Sequence, residues 1–434
     1  MLDQAEQDRV RGVATLLHQA ARPMRVLGAL AWAPEVKQQF LAGGGQQLPD
    51  VSYPGYDPGP VVAIIQEARR DIFPGNVVDD WLESQADAIA TTAEMMASAG
   101  TSAFSAWGRR LYGMPTDPLR YDPVTPLDLA HQVLESMADL VAAKLDVTPP
   151  ATKSAEDIVA VIEPAVNRMF GELAPPVQIV DQLSANALAS RKHIRVRRGA
   201  RFTDLDAHQL LEHEAFIHVA TAFNGLEQHD LPILAIGHAG TTRTQEGLAV
   251  FAELMSGTLD LDRFRRLAHR VIAIQMAMEG ANFIEVFRWF AERVDEDQAF
   301  ESTRRVFRGG NVNGGVAFLK DIVYLAGLLE VSTFVRGAFA AGRTDTLGIL
   351  FCGKLDISGV PALAELRNSG LCVRPRFLPP WVADPRHTLA MLTWSTFSSQ
   401  IDLTRVTMAV ERLLARTERV DISGTITFDP APAN

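Results

Sequence analysis

Two histidines flank a glutamate in His213-Glu214-Ala215-Phe216-Ile217-His218, and a second glutamate follows in Gln245-Glu246-Gly247-Leu248-Ala249. These residue types are the minimum kit of a zinc hydrolase. Two imidazoles and one carboxylate hold Zn²⁺ and leave a fourth position for water, and a carboxylate beside the first histidine takes that water's proton. The spacing sets a condition. Histidines four residues apart lie about 40° apart around a helix, whereas five apart they are separated by about 140°. Both rings face one ion only if the helix carries a π-type widened turn, which often sits at functional sites. The pattern therefore demands a widened turn between His213 and His218. The competing reading is a pair of unrelated helix-surface histidines, since His208 extends the same five-residue series.

The elements that must position these groups are marked by caps and breakers. Residues 190 to 202 alternate like a strand. Thr203 then caps a helix whose first turn holds Asp204 and Asp206, and this helix runs to about Phe223, with Asn224-Gly225 as its stop. A loop holding Pro232, Gly237, Gly240, Thr241 and Thr242 follows. A second helix is expected from near Thr244 to Gly257, with Glu246 in its first turn. Gly247 inside that helix costs about 1 kcal/mol relative to alanine, which is easiest to explain if something packs closely on its backbone. Elsewhere, residues 1 to about 22 read as an amphipathic helix and 43 to 60 as loop. Residues 61 to about 175 read as helical, with breaks at Pro115-Thr116-Asp117-Pro118 and Pro149-Pro150. The second break suggests a division into a helical N-terminal region (1–150) and a catalytic region (151–434). Helices are expected over 260–296 and 315–341, and short strands and helices over 345–434, ending in a frayed tail from Pro430 to Asn434.

The chain has 434 residues and a net charge of −11, from 41 basic and 52 acidic residues, which argues against a nucleic-acid binder. The basic run Arg191-Lys192-His193-Ile194-Arg195-Val196-Arg197-Arg198 reads as an exposed strand edge blunted by charge, or else as a surface for an acidic substrate tail. No run of about 18 apolar residues is evident, so no membrane partner is expected. The acidic start, Met1-Leu2-Asp3-Gln4-Ala5-Glu6, lacks a signal-peptide layout. With two cysteines, Cys352 and Cys372, a reducing cytoplasm fits best, and the pair is expected as buried free thiols.

The HExxxH stretch, together with Gly237 and Thr241-Thr242-Arg243-Thr244-Gln245-Glu246-Gly247-Leu248-Ala249, resembles the QEGLA-motif family. These are bacterial proteins labelled as modulating flavohaemoglobin expression, related to the eukaryotic microtubule-associated tyrosine carboxypeptidases. The resemblance extends to Leu111-Tyr112-Gly113-Met114-Pro115, to Arg305-Val306-Phe307-Arg308-Gly309, and to the segments from Phe318 to Gly327 and Gly353-Lys354-Leu355. It implies an α+β, predominantly helical fold, with a zincin-like metallopeptidase core and a small sheet. It also implies Zn²⁺ held by His213, His218 and Glu246, with Glu214 as the base. Where the family usually has a small residue this chain has Phe216, which is expected to narrow the cleft or alter the widened turn.

A carboxypeptidase acting on a peptide or protein C-terminus also needs a cation for the terminal carboxylate, and arginine suits it best. Arg243, Arg305, Arg308 and Lys320 are the candidates, each with a surface or structural ion pair as its plainer role. Tyr324 is a candidate donor to the developing oxyanion, or a helix tyrosine with its ring in the core. Glu212 and Glu253 are candidates to take the second N–H of a ligating histidine. His229 and His238 read as loop residues rather than ligands. The alternatives to a peptidase are a zinc amidohydrolase on a small amide and a non-catalytic regulatory metal-binding protein. An intact Glu214 weighs against the last, since a purely structural site needs no base.

Overall fold

The fold is built around two apolar helices that touch backbone to backbone, Ala239–Met255 and Ile322–Ala340. Gly247 of the first lies against Gly327 of the second, so closely that a Cβ on Gly247 would fall 2.4 Å from the Gly327 carbonyl. The close approach anticipated at Gly247 is present, and its partner is another glycine. The second helix, extended by one 3₁₀ turn as Leu319–Ala340, is apolar and long enough to cross a membrane by length and composition. It is nevertheless a core helix: 61% of its most apolar window is buried, and its buried Glu330 accepts from Arg243 at 2.8 Å.

The structure, a computed structural model, describes residues 2–142, 151–181, 183, 186–398, 410, 412 and 415. The Pro149-Pro150 break and the tail from Pro430 lie outside these. The chain divides into two units, Met1–Pro385 and Arg386–Asn434. The first is α+β and predominantly helical. In the second the described helix is Arg386–Ser398. Among the described residues, the segment after 345 contains helices and turns but no strand, which corrects the mixture expected there.

The small sheet has three strands, β1 (Val177–Val180), β2 (Ala187–Ser190) and β3 (His193–Arg197), in the order β1-β3-β2. β3 runs parallel to β1 and antiparallel to β2, with Ala189 opposite Ile194 and Leu188 opposite Arg195. The basic run is therefore the central strand and not an edge. Its alternation does sort the faces: Ile194 and Val196 are buried with Ile158, Phe170 and Phe202 in one hydrophobic cluster, while His193, Arg195 and Arg197 lie on the other face.

The segment with the histidines follows as expected. Thr203 caps it with a reciprocal capping box to Asp206. The α-helix Asp204–Leu210 passes into a π-helical stretch, Leu211–Val219, and returns to α-helix over Ala220–Leu226. The widened turn demanded by the five-residue spacing spans both histidines. Glu246 does not lie in a first turn, because its helix begins at Ala239 rather than near Thr244. Gly240 is accommodated there because its bare Cα approaches Ala88, where a Cβ would fall at 2.7 Å.

Candidate active site

The π turn places the His213 and His218 rings 5.0 Å apart, nearly perpendicular at 81°. Both Nε2 atoms face the same oxygen of Glu246, with Glu246 Oε2 3.6 Å from His213 Nε2 and 3.5 Å from His218 Nε2. One ligand atom from each residue lies within 4.8 Å of the other two. Donors about 2.1 Å from a tetrahedral Zn²⁺ stand about 3.4 Å apart, so the two histidine–glutamate separations already suit such an ion, and the donor set fits it. The other oxygen, Glu246 Oε1, accepts from Lys320 Nζ at 2.9 Å. That bond leaves Oε2 as a single-oxygen donor. Although burial opposes it, Lys320 and the two imidazoles hold the Glu246 carboxyl well below the usual range.

Behind the cluster, His213 Nδ1 bonds Glu253 Oε1 at 2.6 Å. Glu253 is fully buried and also accepts from Gln209 at 2.7 Å and from Arg263 at 3.0 and 3.1 Å. By accepting from Nδ1, Glu253 turns the lone pair of Nε2 toward the metal position. Of the two acidic neighbours considered from the sequence, Glu253 makes this contact, and Glu212 is pushed up to about 7 by burial. Burial disfavours the charged form of both histidines. At His213 the hydrogen bonds to Glu246 and Glu253 outweigh it and lift the pKa to about 10, whereas at His218 burial prevails and the shift is downward. A metal taking His213 Nε2 therefore displaces a proton.

The widened turn needs its own support. A π insertion disturbs the regular carbonyl ladder, and side chains meet two of the carbonyls: Thr221 Oγ1 donates to Ile217 O at 2.7 Å, and Lys354 Nζ donates to His218 O at 3.0 Å. Lys354 also reaches Thr221 Oγ1 at 2.8 Å and Gln245 Oε1 at 2.9 Å, tying the histidine segment to the Glu246 helix. Burial pushes its ammonium down to about 8.

Glu214 points into a cavity of about 180 Å³ that it lines together with His213 and Glu253. Its Oε2 accepts from the Ala189 N–H of edge strand β2 at 3.3 Å. The remaining wall is Gln209, Leu210, Arg263, Arg270, Arg305 and Tyr324. Arg305 is held by two bonds to Asp321, at 2.6 and 2.8 Å. Tyr324 stands with its hydroxyl 3.4 Å from Lys320 Nζ. Arg308 sits over the Phe318 ring, 5.3 Å from its centre, and does not line the cavity. Arg243 does not line the cavity, and its guanidinium is taken up by Glu330 and by the Tyr112 carbonyl, at 2.8 and 2.6 Å. Phe216 is buried in the hydrophobic cluster with Phe170 and Phe377 and is absent from the cavity wall, so it does not narrow the site. His238, expected in a loop, is the buried N-cap of the Glu246 helix, with Nε2 3.0 Å from Gln85 Oε1. Sequence reading missed Arg263 and Arg270, both on the helix Leu261–Met278, which it marked only as a helical stretch.

A two-histidine, two-glutamate cluster on adjoining helices, opening into a cationic cavity, has the chemistry of a hydrolase centre. The family model for microtubule-associated tyrosine carboxypeptidases matches residues 38–400, and the chain belongs to that family. By its name it is a family of peptidases, and the match spans the whole cluster. No curated protein matches the chain at a significant level.

Proposed function

We propose that this chain is a zinc-dependent carboxypeptidase with a zincin-like core, of the bacterial QEGLA-motif branch of its family, hydrolysing the last peptide bond of a peptide or protein. The observation that carries this reading is the convergence of His213, His218 and Glu246 on one point across a widened helical turn. A zinc ion held there would supply Lewis acidity, polarising the scissile carbonyl and making nearby water easier to deprotonate. Glu214 takes the proton of the attacking water and passes it to the departing amine. The Ala189 N–H steadies the Glu214 carboxylate between these two transfers. In this reading Tyr324, which lines the cavity with its hydroxyl 3.4 Å from Lys320 Nζ, donates toward the oxyanion.

The substrate's terminal carboxylate meets the arginine wall of the cavity, where Arg305 is fixed by Asp321 and Arg270 stands beside it. That wall favours a chain end over a neutral small amide, and so favours the peptidase over the amidohydrolase. Cys352 and Cys372 are both buried free thiols, in keeping with action in a reducing cytoplasm. The test is metal analysis of protein purified without chelators. About one zinc per chain is expected, lost in His213→Ala and in Glu246→Ala. Glu214→Gln is expected to keep the metal and lose turnover. An unsubstituted protein that takes up no zinc when it is supplied, or a Glu214→Gln protein with normal turnover, overturns the assignment.

A further inference from the structure

The two cysteines take no part in the site, yet the fold brings them together. Cys352 follows the short helix Asp345–Ile349, and Cys372 follows the helix Val360–Asn368 and its Gly370 turn. Both sulfurs lie on one carbonyl, with Val373 O 3.6 Å from Cys352 Sγ and 3.8 Å from Cys372 Sγ, and the two thiols are within hydrogen-bond reach of each other. That contact, together with the charge of Arg367, draws the Cys372 thiol below its usual range against the effect of burial. The same contact pushes the Cys352 thiol up, as burial also does. Cys372 is 4% exposed, and the next residue, Val373, is 44% exposed. A thiol biased toward thiolate, close to a cation and one residue from solvent, with a second thiol against it, is the arrangement of a redox-active pair. A reducing cytoplasm forbids permanent disulfides but admits transient, redox-sensing ones.

The pair is also tied to the support of the histidine segment. Lys354, two residues after Cys352, donates to His218 O at 3.0 Å. Asn224, in the helix that continues the histidine segment, donates to Phe351 O and Phe377 O at 2.8 and 2.7 Å. Gln228, just beyond that helix, bonds Val373 at its N–H and at its carbonyl, at 2.8 and 3.1 Å. Gly353 has no slack, because a Cβ there would fall 2.5 Å from Leu234 O, which also accepts from Lys354 N at 2.7 Å. Drawing the two sulfurs to bonding distance therefore pulls on these clamps and on Lys354. We propose that Cys352 and Cys372 are a modification site, closing to a reversible disulfide on exposure to hydrogen peroxide, and that this bond loosens the π turn by drawing Lys354 off His218 O. In the first step the Cys372 thiolate attacks a peroxide oxygen. The S–O bond forms as the O–O bond breaks, and the departing hydroxide takes the proton that Cys372 had released. The Cys352 sulfur then attacks the sulfenic sulfur. The S–S bond forms, the S–O bond breaks, and the departing oxygen takes the Cys352 proton. Two thiols and one peroxide give one disulfide and two waters, with two electrons passing from sulfur to oxygen. The disulfide stands apart from the enzymatic reading, and only its effect on zinc rests on that reading.

The experiment treats the full chain with a small excess of hydrogen peroxide, alkylates the remaining thiols under denaturing conditions and maps the digest by mass spectrometry. Hydrogen exchange and zinc affinity are measured on the same samples. A linked Cys352–Cys372 peptide is expected, reopened by dithiothreitol. In Cys352→Ala the oxidation should stop at a Cys372 sulfenic acid that dimedone labels. In the oxidised protein, exchange across 211–221 should quicken and zinc should bind about tenfold more weakly, and both should recover once the reductant has been applied and removed. Cys372→Ala, with its fold checked by circular dichroism, should show neither change under peroxide, which separates the disulfide from oxidation elsewhere. Both thiols still alkylated after peroxide, or oxidised further without a linkage, overturn the proposal. A disulfide that leaves exchange across 211–221 unchanged overturns its connection to the π turn. If the reduced protein takes up no zinc, the zinc carboxypeptidase reading fails separately, and the linkage and exchange measurements still decide the proposal.

Discussion

Gly247→Ala should destabilise the protein although it replaces a poor helix residue with the best one. In a free helix the change is worth about 1 kcal/mol in favour of alanine. Here the new Cβ would fall 2.4 Å from the carbonyl carbon and oxygen of Gly327 and 2.8 Å from its Cα. Ordinary carbon contacts lie at about 3.5–4.0 Å, so the two helices must part by about 1 Å. The obstacle is backbone and has no rotamer to move into, which puts the overpacking cost at the upper end of its usual range, about 3 kcal/mol. The net expectation is a loss of about 2 kcal/mol. The displacement also bears on the site, because Glu246 rides on one helix and Tyr324 on the other, and the Lys320 Nζ–Glu246 Oε1 bond of 2.9 Å spans the junction. Zinc affinity should fall together with stability. The control is Gly12→Ala in the helix Gln4–Ala21, where nothing lies within 4 Å of the added carbon. That change should stabilise by about 0.5–1 kcal/mol. Urea unfolding of the three proteins gives the comparison. A Gly247→Ala midpoint at or above that of the unsubstituted protein would refute the packing argument, whatever Gly12→Ala does.

Glu253→Gln removes the charge that orients His213 and leaves Arg263 buried without its partner; zinc affinity should drop about 10- to 100-fold, measured by competition with a chromophoric chelator, and an unchanged affinity would deny Glu253 its positioning role. Lys354→Met keeps the length of the side chain but leaves His218 O without its donor; hydrogen exchange across 211–221 should quicken and zinc affinity should fall, whereas protection equal to the parent's would mean the π turn needs no such support. His238 sets a pH dependence, because burial pushes its pKa down to about 4. The unfolded chain takes up a proton near pH 6.5 that the folded one refuses. Stability is therefore flat above pH 6.5 and falls as pH drops toward 4, by about 3 kcal/mol over that window. His238→Asn, which cannot titrate, should remove that share of the acid sensitivity, and identical pH–stability curves for the two proteins would exclude it.

What the sequence disclosed and what it hid divide along a physical line. Local backbone demands were legible. Five-residue spacing between His213 and His218 is incompatible with one ion on a regular helix, so a shared ion demanded a π turn, and the π turn is present. Thr203 and Asp206 announced the helix start, and Gly247 announced a close neighbour without naming Gly327. Features decided by distant partners were not legible. The start of the Glu246 helix was placed five residues late because Gly240, Thr241 and Thr242 have turn-like preferences, which packing against Ala88 and the buried bond from His238 to Gln85 override. β2, with its sequence Ala-Leu-Ala-Ser, carries no β-branched residue, and its absence from the expectation left β3 looking like an edge. Arg243 and Arg270 show the limit most sharply. Arg243 precedes the motif by two residues and reads as a candidate carboxylate binder with an ion pair as its plainer role, and a buried glutamate and a backbone carbonyl take it up. Arg270 sits in a stretch marked only as helical, yet it lines the cavity, with its nearest acid, Asp321, at 3.8 Å. Whether an arginine is available to substrate depends on which carboxylates the fold has already assigned to it, and that assignment is made by helices far apart in sequence. Charge left over after those assignments is therefore the better guide to what the cavity can bind, and on its wall it lies at Arg270.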